Sequence, residues 1–146
     1  MLSDLLKQLL ASNFAYYLKA QMFHWNVEGP DFAQLHEFFA EIYGDAYGAV
    51  DKIAEYIRTL EEYAPGSFER FNELSIVPGQ LKVPRARLML EELLADTQTM
   101  KDLVMQVFEA AQAEKREDIA NFMAERQDAH GKYMWQLKSF LKDARA

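Results

Sequence analysis

The chain has 146 residues, half of them hydrophobic, with 23 acids against 16 bases, a net charge of −7 and no cysteine. That composition suits one folded domain spanning residues 1–146 with a sizeable core, and excludes a disordered chain. It also excludes a disulfide frame, thiolate metal ligands and a cysteine nucleophile, so any metal must be held by nitrogen and oxygen.

An acidic balance disfavours nucleic acid as a partner and can concentrate cations. No apolar run is long enough to cross a bilayer. The opening "MLSDLLKQLL" interrupts its apolar stretch with Asp4 and Lys7 and lacks the features of a secretion signal, so a cytoplasmic location is expected.

The hydrophobic period is helical nearly throughout. A first helix is predicted from a cap at Ser3 to about Trp25, on Leu2, Leu6, Leu9, Tyr17 and Met22, and "NVEGP" ends it. A second is predicted from Asp31, with Gln34 completing a capping box, to about Glu62. Its stripe runs through Leu35, Phe39, Ile42, Ala46, Ile53 and Ile57, and its length would be ~48 Å. The long connection that follows holds three of the four prolines and a short helix, "SFERFNEL", capped by Ser67. A third long helix is predicted over 85–113, and a fourth over 117–142 after the turn "EKRED". No stretch alternates like a strand. The expected fold is all-α: a ferritin-like four-helix bundle with one long crossover between the second and third long helices.

Chemistry concentrates in "HWNVEGPDFAQLH", which places His24 and His36 on either side of one turn. Bundle di-iron sites usually carry Glu-x-x-His pairs. Here the residues three before His24, His36 and His130 are Gln21, Ala33 and Gln127. A metal centre inside one bundle is therefore not expected. On the second helix "VDKIAEYI" sets Asp51 and Glu55 four apart on one face, able to share a cation.

These acids cannot reach the histidines within one chain. Asp51 lies fifteen residues after His36, a rise of ~22 Å, whereas metal–ligand bonds are about 2 Å long. A symmetric dimer resolves the gap. Antiparallel copies of the second helix bring each His36 to the other chain's Asp51 and Glu55, reciprocally, with the two-fold axis near residues 44 and 45. Gly44 and Gly48 stand there, and glycine inside a helix asks for a reason such as close helix approach.

With these residues in view, "FHWNVEGPDFAQLHEFF" followed by "VDKIAEYIRTL" and "PGSF" closely resembles the Dps mini-ferritins (DNA-binding proteins from starved cells). The match is strong over the first two helices and weaker beyond them. The resemblance implies a twelve-subunit hollow shell built from two-fold dimers. It implies a ferroxidase site at the dimer interface, with His24 and His36 from one subunit and Asp51 and Glu55 from its neighbour. Ferrous iron would bind there and be oxidised, by hydrogen peroxide in preference to oxygen, and ferric mineral would collect in the cavity. Imidazole and carboxylate suit ferrous iron and its ferric product.

Two departures from the family stand out. Members often carry an acid four residues after the second histidine, where this chain has Ala40. DNA-binding members often use a lysine-rich N-terminal extension, and neither the start of this chain nor "KSFLKDARA" near its end carries a basic cluster. DNA association is therefore not expected. The rival readings are a metal-binding assembly with weak oxidation, a DNA-protecting nucleoid protein and a purely structural helical assembly. His130 is expected to be an ordinary hydrogen-bonded bundle residue, Trp25 a packing residue, and Glu114, Glu117, Asp118, Glu125 and Asp128 solvated surface.

Overall fold

The computed structural model describes residues 1–143. The tail at 144–146, which includes Arg145 of the C-terminal bases noted above, lies outside the described residues. Five helices follow in order: α1 (Leu2–Asn26), α2 (Phe32–Thr59), α3 (Phe68–Leu74), α4 (Ala86–Ala113) and α5 (Glu117–Leu141). Among the described residues there is no strand, and no helix is long and apolar enough to cross a membrane.

The side chains that link the helices give the topology. Asn13 bonds the Ala46 carbonyl and Lys7 reaches Glu62, so α1 and α2 run antiparallel. Tyr16 meets Thr97 and Lys19 meets Asp96, setting α4 antiparallel to α1. Arg87 bonds the Leu141 carbonyl and Gln127 that of Lys101, while Tyr56 bonds the Asp118 carbonyl and Arg126 bonds Asp45, so α5 runs antiparallel to both α4 and α2. α2 and α4 are therefore parallel, which is what the long crossover permits. The crossover is not loose: Phe71 of α3 packs on Phe14 at 5.1 Å, and the Ile76 amide donates to Ser12 Oγ. The core is the continuous apolar seam of the four long helices, including Leu6, Phe23, Phe39, Ile53, Leu93, Met100, Val107 and Met123.

The helix ends differ from expectation in instructive ways. Ser67 caps α3 as predicted, accepting from the Arg70 amide. Ser3 does not cap α1, which begins a residue earlier, and Asp31 makes no side-chain capping bond at α2. Instead the Phe32 amide closes a turn onto the Gly29 carbonyl, with Gly29 at φ +114°, a conformation favouring glycine. α2 stops at Thr59, short of Glu62. The Glu62 amide bonds the Ile57 carbonyl and Glu61 bonds that of Arg58, a Schellman ending with Glu61 at φ 63°. α4 ends likewise through Lys115 at φ 59°. Neither ending uses the glycine that usually marks such a stop.

Candidate metal centre

His24 lies in the last turn of α1 and His36 in the second turn of α2, and the tight Gly29–Pro30 turn folds one over the other. Their rings stack with centroids 3.8 Å apart and planes 16° from parallel. Each is held by the other's backbone. His24 Nδ1 lies 2.6 Å from the His36 carbonyl oxygen, and His36 Nδ1 lies 2.7 Å from that of His24. A carbonyl oxygen only accepts, so each Nδ1 must carry the proton. In the neutral imidazole that fixes the tautomer, and Nε2 then carries the lone pair through which imidazole binds a metal. The pair is half-buried, flanked by Phe32 against His36 and by the edge of Tyr43 against His24, each at 5.1 Å.

Asp51 and Glu55 are exposed on one face of α2. The helix is unbroken from Phe32 to Thr59, so the ~22 Å rise between His36 and Asp51 stands. Among the described residues no three His, Asp or Glu side chains come together in a metal-binding group within one chain. The structure therefore brings the two histidines together and leaves the two acids apart from them. Between the halves, Gly44 and Gly48 face open space, and a Cβ added at either would touch nothing in this chain. Beside the acids, Val50 and Ala54 help line an apolar groove of about 560 Å³, with Leu10, Phe14 and Phe68 on its other walls.

The bundle interior holds a polar belt that sequence reading missed. Thr97 gives its proton to the Leu93 carbonyl, so the buried Tyr16 hydroxyl must donate to Thr97 Oγ1, at 2.6 Å. Lys19 and Asp96 form a buried ion pair at 2.8 Å, and burial pushes the Asp96 carboxyl up while Lys19 opposes that shift. Arg126 grips Asp45 through two bonds, 2.7 and 3.1 Å. Asp96 is thus matched to Lys19, and the partly exposed Asp45 to Arg126.

His130 corrects the expectation made for it. It is fully buried, its ring lies edge-on to Tyr16 at 5.5 Å, and among the described residues neither ring nitrogen has a hydrogen-bond partner. Burial, reinforced by the Arg126 charge, pushes its pKa down to about 3. Tyr133, half-buried nearby, is pushed up to about 12 by burial and then by Asp45. Trp25 is also a correction. It is 60% exposed rather than packed. The five surface acids are exposed as expected, Asp118 pairing with Arg116.

Comparison with known proteins agrees with this architecture. The family model for the ferritin-like domain matches residues 3–146. A DNA protection during starvation protein 2 from Bacillus anthracis is 27% identical over 138 residues, covering 94% of each chain. The crystal structure of Dps from Staphylococcus aureus superposes with a TM-score of 0.93 at 30% identity, covering 98% of this chain and 96% of that one. A Dps protein from Vibrio cholerae, described as a member of a broad superfamily of ferritin-like diiron-carboxylate proteins, superposes with a TM-score of 0.92. It is 26% identical and covers 97% of this chain and 89% of that one. The chain belongs to the ferritin-like family, and within it to the Dps mini-ferritins.

Proposed function

We propose that this chain is an iron-oxidising and iron-storing mini-ferritin whose ferroxidase site is completed between two subunits. The observation that carries the reading is the pair of imidazoles locked by each other's carbonyls, with the matching carboxylates stranded a fixed helical distance away. A two-fold dimer joins the halves, each site taking His24 and His36 from one chain and Asp51 and Glu55 from the other. The open faces of Gly44 and Gly48 support a close approach of two α2 helices at the axis, and the apolar groove beside Val50 and Ala54 supports a covered surface there. Six such dimers would make the twelve-subunit shell that the family resemblance implies, with ferric mineral inside.

The carboxylates would offset the added charge of ferric iron, and the imidazoles would bind the ferrous ion as neutral donors. Protons compete for those imidazoles, so metal affinity falls at acid pH. Consuming ferrous iron and peroxide together would remove the two reagents that generate hydroxyl radical. The direct test is anaerobic addition of hydrogen peroxide to the ferrous-loaded protein, followed by near-ultraviolet absorbance. Fast oxidation by wild type, lost in Asp51→Ala, supports the site. Oxidation no faster than in buffer overturns it.

A second reading has one observation in its favour, the DNA-protection name of the B. anthracis relative. Against it stands the net charge of −7. An electrophoretic mobility shift at low salt separates the two, and our reading expects none.

A further inference from the structure

The imidazole pair sits at one end of a run of tyrosines. The Tyr43 ring meets His24 edge-on at 5.1 Å, Tyr17 lies 6.2 Å from Tyr43, and Tyr47 lies 5.0 Å from Tyr17. Ring contacts continue from Tyr17 through Phe14, edge-on, to Phe71, tilted. Only the three tyrosines carry an O–H that can be lost on oxidation, so a radical entering the run would stay among them. The Tyr17 hydroxyl donates to Gln21 Oε1 at 2.7 Å. The two-fold axis inferred above would also set Tyr47 of one chain level with Tyr43 of the other, joining the two clusters. Trp25, although next to His24 in sequence, is 60% exposed and makes no ring contact with this run among the described residues.

We propose that Tyr43, Tyr17 and Tyr47 form a one-electron relay that supplies the second electron when peroxide meets a site holding a single ferrous ion. The proposal rests on the ferroxidase reading. Peroxide takes up two electrons and a ferrous ion gives one. By the family resemblance, Ala40 stands where members often carry a further acid, and a site short of that ligand favours single occupancy. The balanced step is Fe²⁺ + H₂O₂ + Tyr–OH → Fe³⁺ + OH⁻ + H₂O + Tyr–O•. The O–O bond breaks, one electron comes from iron and one from the phenol, and the phenolic proton leaves as water. Without the phenol the same cleavage releases hydroxyl radical. The contact of Tyr43 with a metal-binding imidazole gives the electron a short route, and the ring-to-ring steps to Tyr17 and Tyr47 let the radical move away from the site.

The test loads the assembled protein anaerobically with one ferrous ion per site, adds one equivalent of peroxide and freezes samples for electron paramagnetic resonance. Wild type should show ferric iron together with a radical whose spectrum narrows when the protein contains ring-deuterated tyrosine. Tyr43→Phe should lower that signal severalfold at the earliest time. The triple variant Tyr17→Phe, Tyr43→Phe, Tyr47→Phe should lose it and raise spin-trapped hydroxyl radical severalfold. These changes keep every ring, and the single variant carries the test if the triple fails to fold. Iron oxidised with a radical indifferent to tyrosine deuteration, or lost in Trp25→Phe instead, overturns the relay and leaves the ferroxidase standing. A wild type that oxidises no iron overturns both.

Discussion

His130 gives the fold a pH dependence that can be worked out from its surroundings. Its pKa is about 3 in the folded chain, against roughly 6.5 for an unperturbed imidazole. Below that upper value the unfolded imidazole takes up a proton that the folded one refuses. Stability therefore falls as pH drops through this window, and the contribution is constant above it. Each pH unit is worth about 1.4 kcal/mol, so the loss is about 2 kcal/mol at pH 5 and about 3 kcal/mol at pH 4. His130→Leu keeps the volume, removes two unpartnered nitrogens and removes the titration. The assay is urea unfolding of both proteins at fixed chain concentration from pH 7.5 to 4.5, reading the difference between them. Other titrating groups, Asp96 among them, cancel in that difference. The variant should gain on wild type by about 2 kcal/mol between pH 7.5 and 5. A difference that stays flat across the range would refute the neutral, buried imidazole.

Three further expectations follow from named contacts. A Cβ at Gly44 meets nothing within the chain, so helicity should hold in Gly44→Leu, while dimer dissociation measured by analytical ultracentrifugation should rise by about tenfold or more, some 1.4 kcal/mol. An unweakened dimer would place the axis elsewhere. Lys115→Gly relieves a left-handed residue at φ 59° and should stabilise the chain by about 1 kcal/mol in chemical denaturation. Unchanged or lower stability would mean that the α4 ending is not strained. Ala40→Asp adds a carboxylate one turn beyond His36 and should raise both bound ferrous iron and the peroxide-dependent oxidation rate severalfold. No gain in stopped-flow absorbance would mean that Ala40 does not limit the site.

The four long helices were legible because each buries one apolar stripe, and a stripe of Leu35, Phe39, Ile42, Ile53 and Ile57 has only one regular conformation that aligns it. Their ends were less legible. Glu61 and Lys115 hold left-handed conformations through backbone bonds alone, and nothing in their side chains announces that. The separation of His36 from Asp51 and Glu55 needed only the helical rise, and the structure keeps it. What lateral packing decides was not legible. No spacing shows that His24 and His36 bond each other's carbonyls, or that Tyr43 lies against His24. Lys19, Asp96, Arg126 and Asp45 read as surface charges by type, yet they meet across the bundle interior because their partners come from other helices.

The claim that the site spans two chains is tested most directly by complementation. His36→Ala and Asp51→Ala are each made, and each should oxidise ferrous iron no faster than buffer. The two are then unfolded, mixed in equal amounts and refolded together. Half of the resulting dimers pair one chain of each kind, and in each such dimer one of the two sites has both halves intact. An inter-chain site predicts that about a quarter of wild-type oxidation returns. If the mixture stays as inactive as its parents while co-assembly is verified, the histidines and the carboxylates do not meet across an interface, and the proposed centre is wrong.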